Sequence, residues 1–344
     1  MNRITCIDAL RGLAMFMVVF VHIEGFGLFI EEFHISLLRR ICESIMLPLF
    51  FFVSGFCFKI QTVTDLIKAG LRLLIPAFIM GIVYSFSIDK DILSFLSNIY
   101  KYGYWFTLTL YEMFIILFCL IKVRNNKNGF VWLLVSVSCL LYLIKIPFNN
   151  IQFLVKVGNA FCLHQLFIYF QYFSIGYIFA CCKETFNELI NKELVTVISI
   201  FVFILALYIK CNYTDEELAT SIPLKIYRAI QDPVLAYAGL AIVIRFFYQS
   251  NMFLSENIFG KYLCYVGTHT FEVYLIHYFF IPKLAFIGLY LIDYPNVVLE
   301  LIICLLLTIL VVICSLIIGR IIRTSEILSC ILIGCKFPVI RNKS

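Results

Sequence analysis

Charge is what this chain has least of. Asp, Glu, Lys and Arg make up only 14% of its 344 residues, while 62% are hydrophobic and the mean hydropathy is +0.99. Soluble globular domains carry about 25% charged and about 45–50% apolar residues. The deficit excludes a sizeable soluble domain and indicates an all-α polytopic integral membrane protein. The formal charge of +6 reads as Lys and Arg flanking membrane spans, not as a nucleic-acid footprint. Cys-x-x-Cys pairs and Cys/His clusters are also missing. The 14 cysteines are scattered through apolar stretches, as at Cys57, Cys119, Cys139, Cys264 and Cys304, which indicates buried thiols and no metal site. The N-terminus lacks the short apolar core and small-residue cleavage site of a secretory signal, so its first helix is expected to be retained. No low-complexity linker and no internal repeat is visible.

What remains is hydrophobic runs of helical length. A transmembrane helix needs about 20 residues, so the length allows about ten spans with short loops. The runs predict helices near 8–30, 40–58, 71–88, 104–122, 129–146, 161–182, 194–211, 228–249, 262–281 and 297–319. This gives a transmembrane domain over 1–323 and a short tail over 324–344. The segment 284–292 either extends the ninth helix past Pro282 or lies at the membrane interface. With ten spans both termini share a side. Lys and Arg in 122–128 and 183–193, together with Arg320, Arg323, Lys336, Arg341 and Lys343, place that side in the cytoplasm. The longest external loop is acidic, with Asp215, Glu216 and Glu217.

Against this apolar background the few ionisable residues stand out. The first helix carries Asp8, Arg11 and His22, although Asp or Arg at a helix centre costs about 2.5 to 3.5 kcal/mol. Eleven residues separate Arg11 from His22. That is a rise of roughly 16 Å and an angular offset of about 20°, so the two share a face. Asp8 is one turn before Arg11, within reach for an ion pair. Anchoring at the membrane mouth would also explain Asp8 and Arg11, whereas an aliphatic run has no structural need for the imidazole of His22. Lys68 and Arg72 open the third helix, where Arg72 either snorkels or binds phosphate with its bidentate fork. In the fourth helix, Tyr104 and Trp105 read as an interface belt, and Glu112 as a carboxylate well inside the span. The ninth helix carries His269, Glu272 and His277. His269 and Glu272, one turn apart, are expected to pair, and the three either line a cavity and move protons or hold helices together.

These segments, taken in order, resemble the membrane-bound acyltransferase-3 family, which includes bacterial O-acetyltransferases of surface polysaccharides. The matching pieces begin with Asp8-x-Leu10-Arg11-Gly12 followed by His22, then Pro48-Leu-Phe-Phe-x-x-Ser54-Gly55. Arg72-x-x-x-Pro76, Trp105-Phe106, Phe173-Ser-Ile-Gly176-Tyr177 and Gly267-x-x-Thr270-x-x-x-Tyr274-Leu-x-His277 complete the set. The chain departs from the family where Arg-x-x-Arg often opens the third helix: Ala69 holds the first position, beside Lys68. Thr270 stands where the family frequently has Ser. The resemblance implies about ten helices and transfer of an acyl group, usually acetyl from acetyl-CoA, to a carbohydrate hydroxyl.

On that reading His22, Arg11 and Asp8 are the catalytic residues, His22 being the general base or the transient carrier of the acyl group, and Arg11, Arg72 and Lys68 hold acyl-CoA. Asp8 supports Arg11. Glu112, Trp105, His269, Glu272 and His277 support His22 or bind the acceptor. Another short acyl-CoA is open as donor. No permanently bound cofactor is implied, and the expected location is a bacterial inner membrane. The main rival is a transporter or flippase of a lipid-linked sugar. Inverted repeats with paired broken helices would favour it, and none is visible in the sequence. A structural or sensory membrane protein gives no reason for two ionisable clusters.

Overall fold

A computed structural model describes residues 5–30, 36–123, 127–148, 151–212 and 222–335, and among these the fold is all helical. Asp215, Glu216, Glu217, Lys336, Arg341 and Lys343 lie outside the described residues. The helices that carry the site are α1 (Thr5–His22), α2 (Leu37–Phe56), α3 (Val63–Ser87), α4 (Trp105–Val123), α5 (Ile258–Thr268), α6 (Thr270–Ile276), α7 (Val297–Ile322) and α8 (Glu326–Ile333).

Six described helices are long and apolar enough to cross a membrane, or up to eight if each of two bent pairs forms one span. The expectation of ten included two helices that fall short of those limits. α2 opens with Arg39, Arg40 and Glu43, and the apolar part of Lys127–Phe148 is only Gly129–Lys145. Two expected single helices are broken. Gln152–Phe161 and Leu163–Cys181 meet at 61° across Cys162, which has φ +55°. The expected helix 262–281 stops at His269, restarts as α6, tightens into a 3-10 turn over His277–Phe280 and ends before Pro282. Beyond it, Ala285–Asp293 is a separate helix bent by 86°. A proline has no N–H to continue the helical ladder, which accounts for the stop.

Chain packing divides the molecule into two compact units. The first comprises residues 1–53, 181–270 and 280–313; the second comprises 54–180, 271–279 and 314–344. In the first unit, α1 and α5 cross with almost no space between their backbones. A Cβ on Gly12 would overlap the Leu263 carbonyl oxygen, and a Cβ on Gly267 would overlap the Asp8 carbonyl oxygen. Small residues permit this approach between membrane helices, where dispersion replaces the hydrophobic effect as the main attraction. The Gly12 of the first motif and the Gly267 of the last are therefore two sides of one crossing. In the second unit, a Cβ on Gly55 would overlap the Phe173 carbonyl oxygen, so the Ser54-Gly55 and Phe173–Tyr177 motifs also meet. The C-terminal α8 packs on α3 in that unit, and Gly334, with φ +67°, sits against the Arg72 carbonyl.

Candidate functional site

The first helix is continuous from Thr5 to His22, so the common face expected for Arg11 and His22 holds along it. Asp8 is buried and its carboxylate stands 3.9 Å from the half-buried Arg11 guanidinium. This is an ion pair beyond hydrogen-bond length. At His22 the α-helix gives way to a π-helical turn over Ile23–Gly27. Such turns are rare and concentrate at functional sites. The wider turn brings Phe26 against the imidazole, with ring centroids 5.4 Å apart. His22 remains partly accessible.

The sequence missed one residue of this region. Glu24, inside the π-turn, is fully buried, and neither carboxylate oxygen has a hydrogen-bond partner among the described residues. Its signal was a lone carboxylate in an apolar run, two residues past His22.

His269 and Glu272 do not pair. The helix breaks at His269, whose φ of −111° and ψ of 15° end α5. The imidazole Nδ1 lies 2.9 Å from the Tyr265 carbonyl oxygen and 2.9 Å from Thr268 Oγ1, within the first unit. A carbonyl only accepts, so Nδ1 is the protonated nitrogen. Glu272 belongs to the second unit and forms its ion pair with Arg323, near the end of α7.

His277 is sealed inside the second unit. Its Nδ1 is 2.9 Å from both the Val273 and the Tyr274 carbonyl oxygens, which commits that proton to the backbone of its own helix. Trp105 is also no interface residue. It is buried and stacks on Tyr169 at 5.9 Å with an interplanar angle of 25°. One turn apart on α4, Thr109 Oγ1 and Glu112 Oε2 are both buried without a hydrogen-bond partner among the described residues. Lys68 and Arg72 are exposed near the start of α3.

The turn before α4 has three consecutive left-handed residues: Lys101 at φ +46°, Tyr102 at +50° and Gly103 at +104°. Left-handed backbone is unfavourable for residues with a Cβ. The buried Lys101 ammonium holds it by donating to the carbonyls of Leu96, Asn98 and Asn159 at 2.5, 2.9 and 2.7 Å. Burial lowers the Lys101 pKa below its ordinary value. The Tyr274 hydroxyl donates to the Gly103 carbonyl, and the Tyr104 hydroxyl to that of Leu275. The Trp105-Phe106 motif and the late Tyr274-Leu-x-His277 motif are thereby fastened to one another.

The acyltransferase-domain family model matches residues 4–320 of this chain. The chain belongs to that family. It is a membrane acyltransferase, and the match takes in both units and every motif described above. No curated protein and no solved structure matches it. Within the acyltransferase, the first unit holds Asp8, Arg11, His22 and His269 of the expected site residues. The second holds Lys68, Arg72, Trp105, Glu112, Glu272 and His277.

Proposed function

We propose that this acyltransferase moves a short acyl group, acetyl in the first instance, from acyl-CoA to a carbohydrate hydroxyl. The supporting observation is the pair Arg11 and His22, held on one face of a straight helix about three turns apart and bounded by a π-turn. A guanidinium binds phosphate or a thioester carbonyl through charge-assisted bonds. Asp8 limits the directions in which Arg11 can point. An imidazole with near-neutral basicity suits removal of a hydroxyl proton at neutral pH.

His22 takes the proton of the acceptor hydroxyl as its oxygen attacks the thioester carbon. The carbon–sulfur bond then breaks, and the CoA thiolate recovers the proton from His22. The products are an O-acyl carbohydrate and free CoA. The spacing of the two groups along the helix axis, and not side by side, supports a thioester held at one level of the helix and an acceptor met at another.

The test uses the purified protein in liposomes with radiolabelled acetyl-CoA and carbohydrate extracted from cells that carry it. Label appearing in carbohydrate, with stoichiometric release of CoA, supports the reading. Carbohydrate crossing the bilayer with no label transferred from acetyl-, propionyl- or succinyl-CoA would replace it with a flippase.

A further inference from the structure

Glu24 is the anomaly of the first unit. A buried carboxylate normally has a charged or hydrogen-bonding partner, since desolvation is not otherwise repaid. Here neither oxygen meets hydrogen-bond geometry with a described residue, and the Ser36 side chain is the candidate donor beside them. Ser36 and Arg39, at the start of α2, and Glu300, in the first turn of α7, bear directly on Glu24. Arg39 is itself engaged by Glu43, Nε to Oε1 at 2.7 Å, so the nearest cation is shared with another carboxylate. A second buried oxygen, Glu300 Oε1, also lacks a partner among the described residues.

The cluster runs outward. Glu24 is fully buried, the Arg39 side chain is 8% exposed and that of Glu43 is 37% exposed. Exposure thus increases from the Glu24 carboxylate, in the turn after His22, through Arg39 to Glu43 on α2. Two chemistries could satisfy orphan carboxylate oxygens at the inner end of the cluster, a cation or hydroxyl donors. Among the described residues no group of three His, Cys, Asp or Glu side chains is placed to hold a metal ion. A guanidinium at the centre of the cluster also opposes a cation and suits ring and hydroxyl oxygens. Alternating carboxylate and guanidinium groups match a polyol, whose hydroxyls donate to the first and accept from the second.

We infer that Glu24, Arg39 and Glu300 form a subsite that binds the hydroxyl-rich acceptor beside the turn that follows His22. This rests on the acyl-transfer reading above and goes beyond it by naming where the acceptor is held. Glu24 is the inner contact, accepting from hydroxyls beside the one that reacts. Glu43 sets the orientation of Arg39 from outside.

The experiment measures initial rates of label transfer from radiolabelled acetyl-CoA to the carbohydrate extract, varying each substrate in turn. Glu24→Gln keeps the shape of the side chain but replaces one acceptor oxygen by a donor. It is expected to raise the extract concentration for half-maximal transfer at least tenfold while changing the acetyl-CoA KM less than twofold. Glu24→Leu removes both oxygens; it is expected to abolish saturation by the extract while the unfolding midpoint stays equal or rises, because an orphan buried carboxylate is replaced by an apolar group. If the wild type transfers label and Glu24→Gln leaves the extract dependence unchanged, the subsite is refuted and the acyl-transfer reading stands. A fall in the unfolding midpoint for both variants, with both KM values altered alike, assigns Glu24 to structure and also refutes it. If the wild type transfers no label at all, the acyl-transfer reading fails and takes the subsite with it.

Discussion

Arg323, just past the end of α7, donates to the buried carboxylate of Glu272 in the first turn of α6. The partners differ in burial: the Glu272 side chain is 5% exposed and that of Arg323 is 45% exposed. Their deletion should therefore be unequal. Arg323→Met strands a carboxylate in the interior and is expected to destabilise the protein by about 3 to 5 kcal/mol. Glu272→Gln leaves an arginine that turns to water and should cost about 1 to 3 kcal/mol. Denaturation of the two variants in matched micelles decides the matter, and equal losses would contradict the asymmetry.

The crossing of α1 and α5 leads to a second prediction. Gly267→Ala places a methyl against the Asp8 carbonyl, a backbone atom that cannot move without moving the turn that holds Asp8 and Arg11. Overpacking of a tight contact costs about 1 to 3 kcal/mol, more where backbone is struck. The variant should lose stability and also raise the acyl-CoA KM. A control at Gly158 separates steric position from a general glycine effect, since an added Cβ there would meet the Phe148 ring, a side chain that can rotate. Gly158→Ala is expected to be the milder of the two in thermal unfolding.

Lys101→Met removes the three donors that hold the left-handed turn before Trp105. The part-buried Leu96 and Asn159 carbonyls lose this donor, while the Asn98 carbonyl keeps the backbone N–H of residue 101, so the variant should unfold at a lower temperature. The pH dependence has a defined sign. Burial lowers the Lys101 pKa in the folded chain below its ordinary 10.5, so between the two values the unfolded chain binds more protons. Stability from this group therefore rises as pH increases through that window. The gap in unfolding midpoint between wild type and variant is expected to widen toward pH 10.5. A gap that narrows would show that the folded state favours the ammonium instead.

Much of the fold could be read from patterns local in sequence. Hydropathy marked the helices, and the spacing of Asp8, Arg11 and His22 identified a face that the continuous first helix preserves. Failures occurred where a helix breaks without a Gly or Pro signal and where the answer depends on a distant segment. The expected His269–Glu272 pair assumed an unbroken helix. Neither Gly nor Pro stands at the break itself, where His269 bonds back to Tyr265 and the Thr270 hydroxyl to the Gly267 carbonyl. Trp105 read as an interface residue because its stacking partner, Tyr169, lies 64 positions away. Glu24 went unremarked for the same reason. Its neighbours arrive from α2 and α7, and the π-turn that buries it has no periodic signature.

The role of Arg11 should separate binding from chemistry. Arg11→Lys keeps the charge but loses the planar fork, and it is expected to raise the acetyl-CoA KM about tenfold, equivalent to about 1.4 kcal/mol, with little change in kcat. A fall in kcat at constant KM would move Arg11 from substrate binding to the transition state.

His22 carries the proposed chemistry, and its removal separates binding from transfer. Label transfer from acetyl-CoA to the carbohydrate extract is followed in liposomes for the wild type and for His22→Ala, with acetyl-CoA binding measured on the same preparations. Binding is expected within about threefold of wild type, with a loss of transfer of at least about a hundredfold, the range for removal of a positioned general base. A folded His22→Ala protein that binds acetyl-CoA and transfers label at the wild-type rate would contradict the role proposed for His22.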